Sequence, residues 1–145
     1  MCWLSKLAGT EKPKPPIELL RMPAQAVLQE LPPNVKMLYG ALDYEYYYTK
    51  AEHWAAALDW IYFKFDMPKY LADRMDCDDF AFLLKALVSS FFGLNYFGAV
   101  FGQTPMGYHA WNLFRVDNGL LQFEPQTGKV FEMDEKGYVP EWLLI

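Results

Sequence analysis

The chain has 145 residues, is 53% hydrophobic and 18% aromatic, and carries a formal net charge of −5. That length and apolar content suffice for one domain with a real core and exclude a disordered chain. The acidic balance argues against nucleic acid and against a polybasic membrane patch, and no apolar run approaches the roughly 18 residues of a membrane span.

Residues 1–16 end in Lys12-Pro13-Lys14-Pro15-Pro16, a run that helix and sheet interiors exclude. They are expected to be a tail or linker, suited to attachment to a larger assembly, with one domain over residues 17–145. The opening MCWLSKLAGTEKPKPP has no apolar h-region, so no signal peptide is expected and the expected localisation is cytoplasmic, or within a virion if the chain is phage-encoded. The only two cysteines, Cys2 and Cys77, make no disulfide framework, which fits a reducing compartment.

Residues 17–31 are apolar enough to pack on a body as a short helix, broken near Pro23 and stopped by Pro32-Pro33. The tract DYEYYYTK (43–50) has strand-like aromatic content. Its tyrosines Tyr44, Tyr46, Tyr47 and Tyr48 could pack on the core or form a recognition surface. A helix is expected over residues 50–65, with Trp54, Leu58, Ile61 and Phe65 on one face, ended by Met67-Pro68. A second starts at Asp76 or Cys77 and runs to Ser90, with Phe80, Leu83, Leu84, Leu87 and Phe91 at core spacing and Gly93 as C-cap. From there the period changes to two. Strands are expected over 96–101, 108–116 and 120–124, with a fourth over 129–133, GQTPMG as a loop and Asp117-Asn118-Gly119 as a turn. Helices followed by an antiparallel meander make an α+β pattern.

Cys77 heads the second helix in MDCDDFAFLLKALVSSFFG. A lone cysteine there is ordinarily a small buried hydrophobe. Here Asp76 is a good N-cap, with Asp79 in the place of a capping-box acid. Cys77 would then meet unpaired N–H groups and the positive end of the helix dipole, which favour a thiolate over the screened repulsion of the aspartates. A thiol nucleophile also needs a base and an orienting group. Of two histidines, His53 lies at a helix start that suits a surface role, whereas His109 opens a strand behind a glycine-bounded loop. If Asp117-Asn118 is the hairpin loop, Trp111 faces Glu124, and Glu124 lies diagonal to His109 on one sheet face, with Cβ atoms roughly 7–8 Å apart. If Asn118-Gly119 is the loop, Glu124 faces Leu113 and is out of reach.

D-C-D-D-F-A on a helix start, G-Y-H-A-W-N on a strand and F-E-P-Q-T-G after a hairpin together resemble the transglutaminase-like cysteine-enzyme superfamily. The order and the spacings of 32 and 15 residues are similar to those of its small bacterial and phage-encoded cysteine proteinases, over about residues 59–127. The resemblance implies a papain-like, transglutaminase-like core, with N-terminal helices packed on a 3–4-stranded antiparallel sheet. It also implies Cys77 as nucleophile, His109 as base and Glu124 as orienting acid, where the family usually has aspartate. The implied chemistry is acyl transfer through a thioester on a protein or peptide substrate, resolved by water in a thiol protease or amidase and by an amine in a transglutaminase.

The Cys77 backbone N–H would be one oxyanion donor, and Trp60 or Gln103 would supply the second. Trp111 would wall the cleft or join the core, and Asp78 would be solvated or favour a basic group on the substrate. Asp76, Cys77, Asp78, Asp79 and His109 offer metal ligands, but without a C-x-x-C or H-x-x-x-H pair or a calcium-loop pattern no metal or cofactor is expected. The alternative is an inactive version of the fold serving as a structural or binding module of a larger assembly.

Overall fold

The computed structural model describes residues 12–135 and 137–145. Its elements in chain order are β1 (Leu20–Pro23), α1 (Ala24–Glu30), β2 (Lys36–Met37), β3 (Glu45–Tyr48), α2 (Ala51–Lys64), α3 (Cys77–Phe92), β4 (Phe97–Thr104), β5 (Gly107–Val116), β6 (Gly119–Glu124), β7 (Lys129–Glu132) and β8 (Val139–Leu144). Six strands form one sheet in the order β2-β8-β4-β5-β6-β7, and β1 and β3 make a separate antiparallel pair. Within the large sheet only β2 and β8 run parallel.

The helices follow from local chemistry. α2 buries Trp54, Ala57, Leu58, Trp60 and Ile61. At the head of α3 the Asp76 carboxylate accepts the Asp79 N–H, and the Asp79 carboxylate accepts the Asp76 N–H at 3.3 Å. This reciprocal cap satisfies two orphan donors and fixes where the helix begins. Gly93 ends it at φ 67°, a left-handed conformation that suits glycine, and its N–H donates to the Ser89 carbonyl at 3.0 Å.

α3 approaches the sheet where side chains are small. Ala81, Ala99 and Ala110 pack together with Cys77 and Phe101. Buried Asn112 donates through Nδ2 to the carbonyls of Ala81 and Gly98, both at 3.0 Å, which ties helix to strands. Farther along, Leu84, Val88, Trp54, Phe97 and Phe114 form the core between helices and sheet. Val27, Tyr46, Tyr96, Trp111, Leu113 and Leu143 form a second core on the other face. Central strands covered on both faces read as continuous apolar runs, as Phe97 to Val100 do.

The expected 3–4-stranded antiparallel sheet is corrected to six strands with a parallel edge pair. The missing pieces were β2 and β8, of which β8 lies between β2 and β4; β8 also holds a proline. Its Pro140 pairs with Gly102 at a break in register after Phe101, and such a bulge tolerates the absent proline N–H. Pro23 likewise ends β1 and precedes α1, so the first segment is strand then helix. The expected loop at 102–107 is instead strand closed by a two-residue Pro105-Met106 turn, with Thr104 opposite Gly107.

Residues 1–11 of the expected tail lie outside the described residues. The remainder follows the helices: the Trp60 indole N–H donates to the Lys12 carbonyl at 2.9 Å, and Lys14 donates to the Phe91 carbonyl at 2.8 Å. Of the tyrosine tract, Tyr46 is fully buried and Tyr44, just ahead of β3, is 96% exposed, so the tract serves both core and surface.

Candidate functional site

The β5–β6 hairpin pairs Val116 with Gly119 and Asn112 with Phe123. Asp117-Asn118 is therefore the loop, and Glu124 falls one step beyond the last pair, beside Trp111. His109 Nε2 lies 2.7 Å from Glu124 Oε2. The second oxygen, Glu124 Oε1, accepts the Gln126 N–H at 3.2 Å. Glu124 is 6% exposed, so both oxygens are occupied in a buried setting. The His109 ring stacks on Trp111 at 6.0 Å with 20° between planes, and the Trp111 indole N–H donates to Gln122 Oε1 at 2.7 Å. A fully buried indole with a satisfied donor thus backs the imidazole and limits its rotation.

Two tyrosines border the carboxylate. Burial pushes the Tyr62 phenol far above its ordinary range, and Glu124 adds to this. Tyr138 is raised by burial and by Glu124 in the same way.

Cys77 approaches β5 from the α3 side, packed with Ala81, Ala99 and Ala110. Side chains alternate along a strand, so His109 and Ala110 point to opposite faces. Sulfur and imidazole therefore border the same stretch of β5 from two sides. The polar contacts of Cys77 are the backbone groups of Ala110 and Asp78. Burial pushes the thiol up, and Asp76 and Asp78 raise it further; the hydrogen bonds from Ala110 and Asp78 oppose this without cancelling it. The helix start was expected to favour a thiolate; burial and the two aspartates push the thiol the other way.

Asp78 is raised as well, first by a hydrogen bond shared with the Asp76 side chain and then by burial. It is therefore a partner of the cap acid rather than a freely solvated charge. Asp76, Cys77 and Asp78 place one ligand atom each within 4.8 Å of one another, so these three are the described residues that could hold a cation.

The remaining expected site residues are placed elsewhere. Trp60 is 5% exposed and packs against Phe91 and Phe92 at the end of α3 remote from Cys77, a helix length of roughly 20 Å away. Its N–H already serves Lys12, so it supplies no oxyanion donor. Trp111 is fully buried and walls no open cleft. Gln103 is exposed on β4, paired with Tyr108 and Val139, rather than on a flexible rim. His53 accepts the Glu18 N–H at 3.3 Å and contacts the Thr49 hydroxyl at 3.1 Å. Sequence reasoning missed Gln122, Gln126 and Tyr62 as supports of the pair. The hairpin register carried a signal for Gln122, since it places that residue two positions from Glu124 on one face.

The family to which this arrangement belongs is that of the ricin-type beta-trefoil lectin C-terminal domain, whose model matches residues 34–145. No curated protein sequence matches the chain. Among solved structures, it is similar to the Polyporus squamosus lectin bound to the human-type influenza-binding epitope Neu5Acα2-6Galβ1-4GlcNAc, at 22% identity and TM-score 0.69. It is equally similar to a PSL1a–E64 complex, at 22% identity and TM-score 0.67. Each comparison covers 87% of this chain and 50% of the other, so the chain spans about half the length of those neighbours.

These findings overturn the transglutaminase-like, papain-like assignment and what it implied: a thiol protease, amidase or transglutaminase acting on a protein or peptide substrate. The family is a lectin family, and one of the two structural neighbours is a lectin. The three quoted motifs describe a local arrangement of thiol, imidazole and acid, and such an arrangement does not by itself fix a family or an activity. Among the described residues no helix is long and apolar enough to cross a membrane.

Proposed function

We propose that the chain is a glycan-binding module of the lectin type, with a separate small-molecule site at Cys77, His109 and Glu124. The glycan reading is supported by membership of a lectin family and by the sialylated trisaccharide bound by one structural neighbour. It takes up the alternative of a binding module in a larger assembly, with a glycan as the partner class. Saturation-transfer NMR with Neu5Acα2-6Galβ1-4GlcNAc tests it: transfer to the sugar is expected, and its absence overturns glycan contact by this chain.

The second site rests on one observation, the 2.7 Å contact of His109 with buried Glu124, and Cys77 packs against the next residue of the strand, Ala110. Core packing does not require a buried carboxylate, and this one is held by two partners. The E64 complex of the other neighbour makes E64 the probe. Retention of E64 is expected, with loss in Cys77→Ala and weakening in His109→Ala, read by intact mass and thermal shift. Equal response of all three proteins sinks the site. Cys77 is free, and a cytoplasmic setting that keeps it reduced is the compartment we assign.

A further inference from the structure

Ahead of β1, Lys12-Pro13-Lys14-Pro15-Pro16 runs over α2 and the end of α3 without joining a helix or strand. Its three prolines hold the backbone extended and remove three N–H donors, so it meets the helices through carbonyls and lysine side chains. We propose that the α2–α3 surface beneath it is a recognition site for a basic proline-rich strand of a partner protein. In the free chain the site is filled by residues 12–16 of the same molecule.

The contacts define the ligand. Trp60 donates its indole N–H to the Lys12 carbonyl at 2.9 Å, and its ring packs against Phe65, Phe91 and Phe92. Lys12 Nζ pairs with Asp59 and lies 5.6 Å from the centre of the Phe63 ring. Lys14 Nζ lies 5.5 Å from the centre of the Phe92 ring and donates to the Phe91 carbonyl at 2.8 Å. That carbonyl belongs to the last turn of α3, where acceptors lack helical partners and the dipole is negative. Aromatic surfaces of this kind bind extended proline-rich segments, which arrive already ordered. Asp59, the end of α3 and the two ring faces all favour lysine. An acidic strand would meet repulsion at each of them.

The resident strand is held lightly enough to exchange. Lys12, Pro13 and Lys14 are exposed, and an exposed ion pair contributes little. The firm hold begins at Ile17, which packs against the core between helices and sheet, and at Glu18, whose carbonyl accepts the Thr49 hydroxyl at 2.6 Å. Residues 12–16 can therefore lift while 17 and 18 stay in place as a hinge. Lifting uncovers the Trp60 donor and the rings of Phe63 and Phe92 for a second strand. Because the resident strand is tethered, its effective concentration is high, and it acts as an internal competitor.

The test follows the Trp60 indole signal in ¹H–¹⁵N spectra of the full chain, titrated with the peptide acetyl-Lys-Pro-Lys-Pro-Pro-amide. Lys12→Glu with Lys14→Glu sets like charge against Asp59 and the end of α3, and should free the strand and move that signal. Added peptide should return it toward the parent position, saturably, and bind this variant at least about tenfold more tightly than the parent. Asp59→Asn in the same background should weaken binding by about two- to threefold without changing the melting temperature. The peptide acetyl-Glu-Pro-Glu-Pro-Pro-amide should not bind. An indole signal that stays at the parent position in the double variant, or that moves and is not returned by peptide, makes the strand fixed packing and overturns the site. Equal binding of the two peptides overturns lysine recognition and the proposal with it.

Discussion

Glu124 grips His109 with one oxygen, Oε2 at 2.7 Å from Nε2, and its own following turn with the other, Oε1 at 3.2 Å from the Gln126 nitrogen. A carboxylate only accepts, so Nε2 carries the hydrogen and Nδ1 is the nitrogen left free. Long-range ¹H–¹⁵N spectra should therefore show the Nε2–H tautomer for His109 in its neutral form. Glu124→Ala strands a half-buried imidazole donor and the Gln126 N–H, and should cost about 1–3 kcal/mol in urea unfolding. Glu124→Gln can still accept both hydrogen bonds and should cost less. Equal losses in the two variants would mean that packing, not hydrogen bonding, holds the ring.

The Cys77 thiol has the opposite electrostatic setting from an activated one. Its pKa is raised, by burial first and then by Asp76 and Asp78 against the pull of two backbone hydrogen bonds. The folded state thus holds the proton more tightly than the unfolded state does. The associated stability is fully present below the ordinary thiol pKa and is lost as pH climbs through the raised one. Iodoacetamide labelling of the folded chain should accordingly rise at higher pH than labelling of the same chain in denaturant. Asp78→Asn removes one of the raising charges and should speed labelling at fixed pH by roughly two- to fivefold. A rate indifferent to Asp78 would show that burial alone sets the thiol.

Trp111 and Gln122 form a wholly buried polar pair, joined at 2.7 Å, with the Gln122 amide passing a second hydrogen bond to the Glu132 carbonyl at 3.0 Å. Gln122→Leu keeps comparable bulk but leaves the indole N–H and that carbonyl without partners. The expected loss is about 2–4 kcal/mol by chemical denaturation, together with broadening of the His109 resonances as the ring behind them loosens. Trp111→Phe in the Gln122→Leu background should recover part of the loss, because it removes the stranded donor.

Local chemistry made much of the helical layer legible. The apolar stripe of α2 and the acids around Asp76 mark helices within two residues of their observed ends, and Gly93 marks the stop. The hairpin loop could be narrowed to two choices, of which pairing across β5 and β6 selects one. What stayed hidden depends on distant partners. The segment at 139–144 contains Pro140, which reads against a central strand, and only the bulge beside Gly102 makes it acceptable. Trp60 was open to a site role because periodicity gives a face its apolar character without naming its cover, here Lys12 and the end of α3.

The bulge itself gives the last prediction. A Cβ at Gly102 would run into the Val139 carbonyl oxygen and crowd the Pro140 backbone, so glycine is required there by close approach of two strands. Gly98 faces a milder version, in which the Leu143 side chain is the nearest obstacle and the Leu144 carbonyl the next. A side chain can turn aside and a paired strand cannot, so Gly102→Ala should destabilise more than Gly98→Ala. The expected loss for Gly102→Ala is at least about 2 kcal/mol, as for other overpacked sites. Because β8 alone joins β2 to the rest of the sheet, hydrogen exchange in Gly102→Ala should accelerate first at the β8 amides, while those of the β5–β6 hairpin stay protected. Uniform acceleration across the sheet would show that β8 does not come away as a unit.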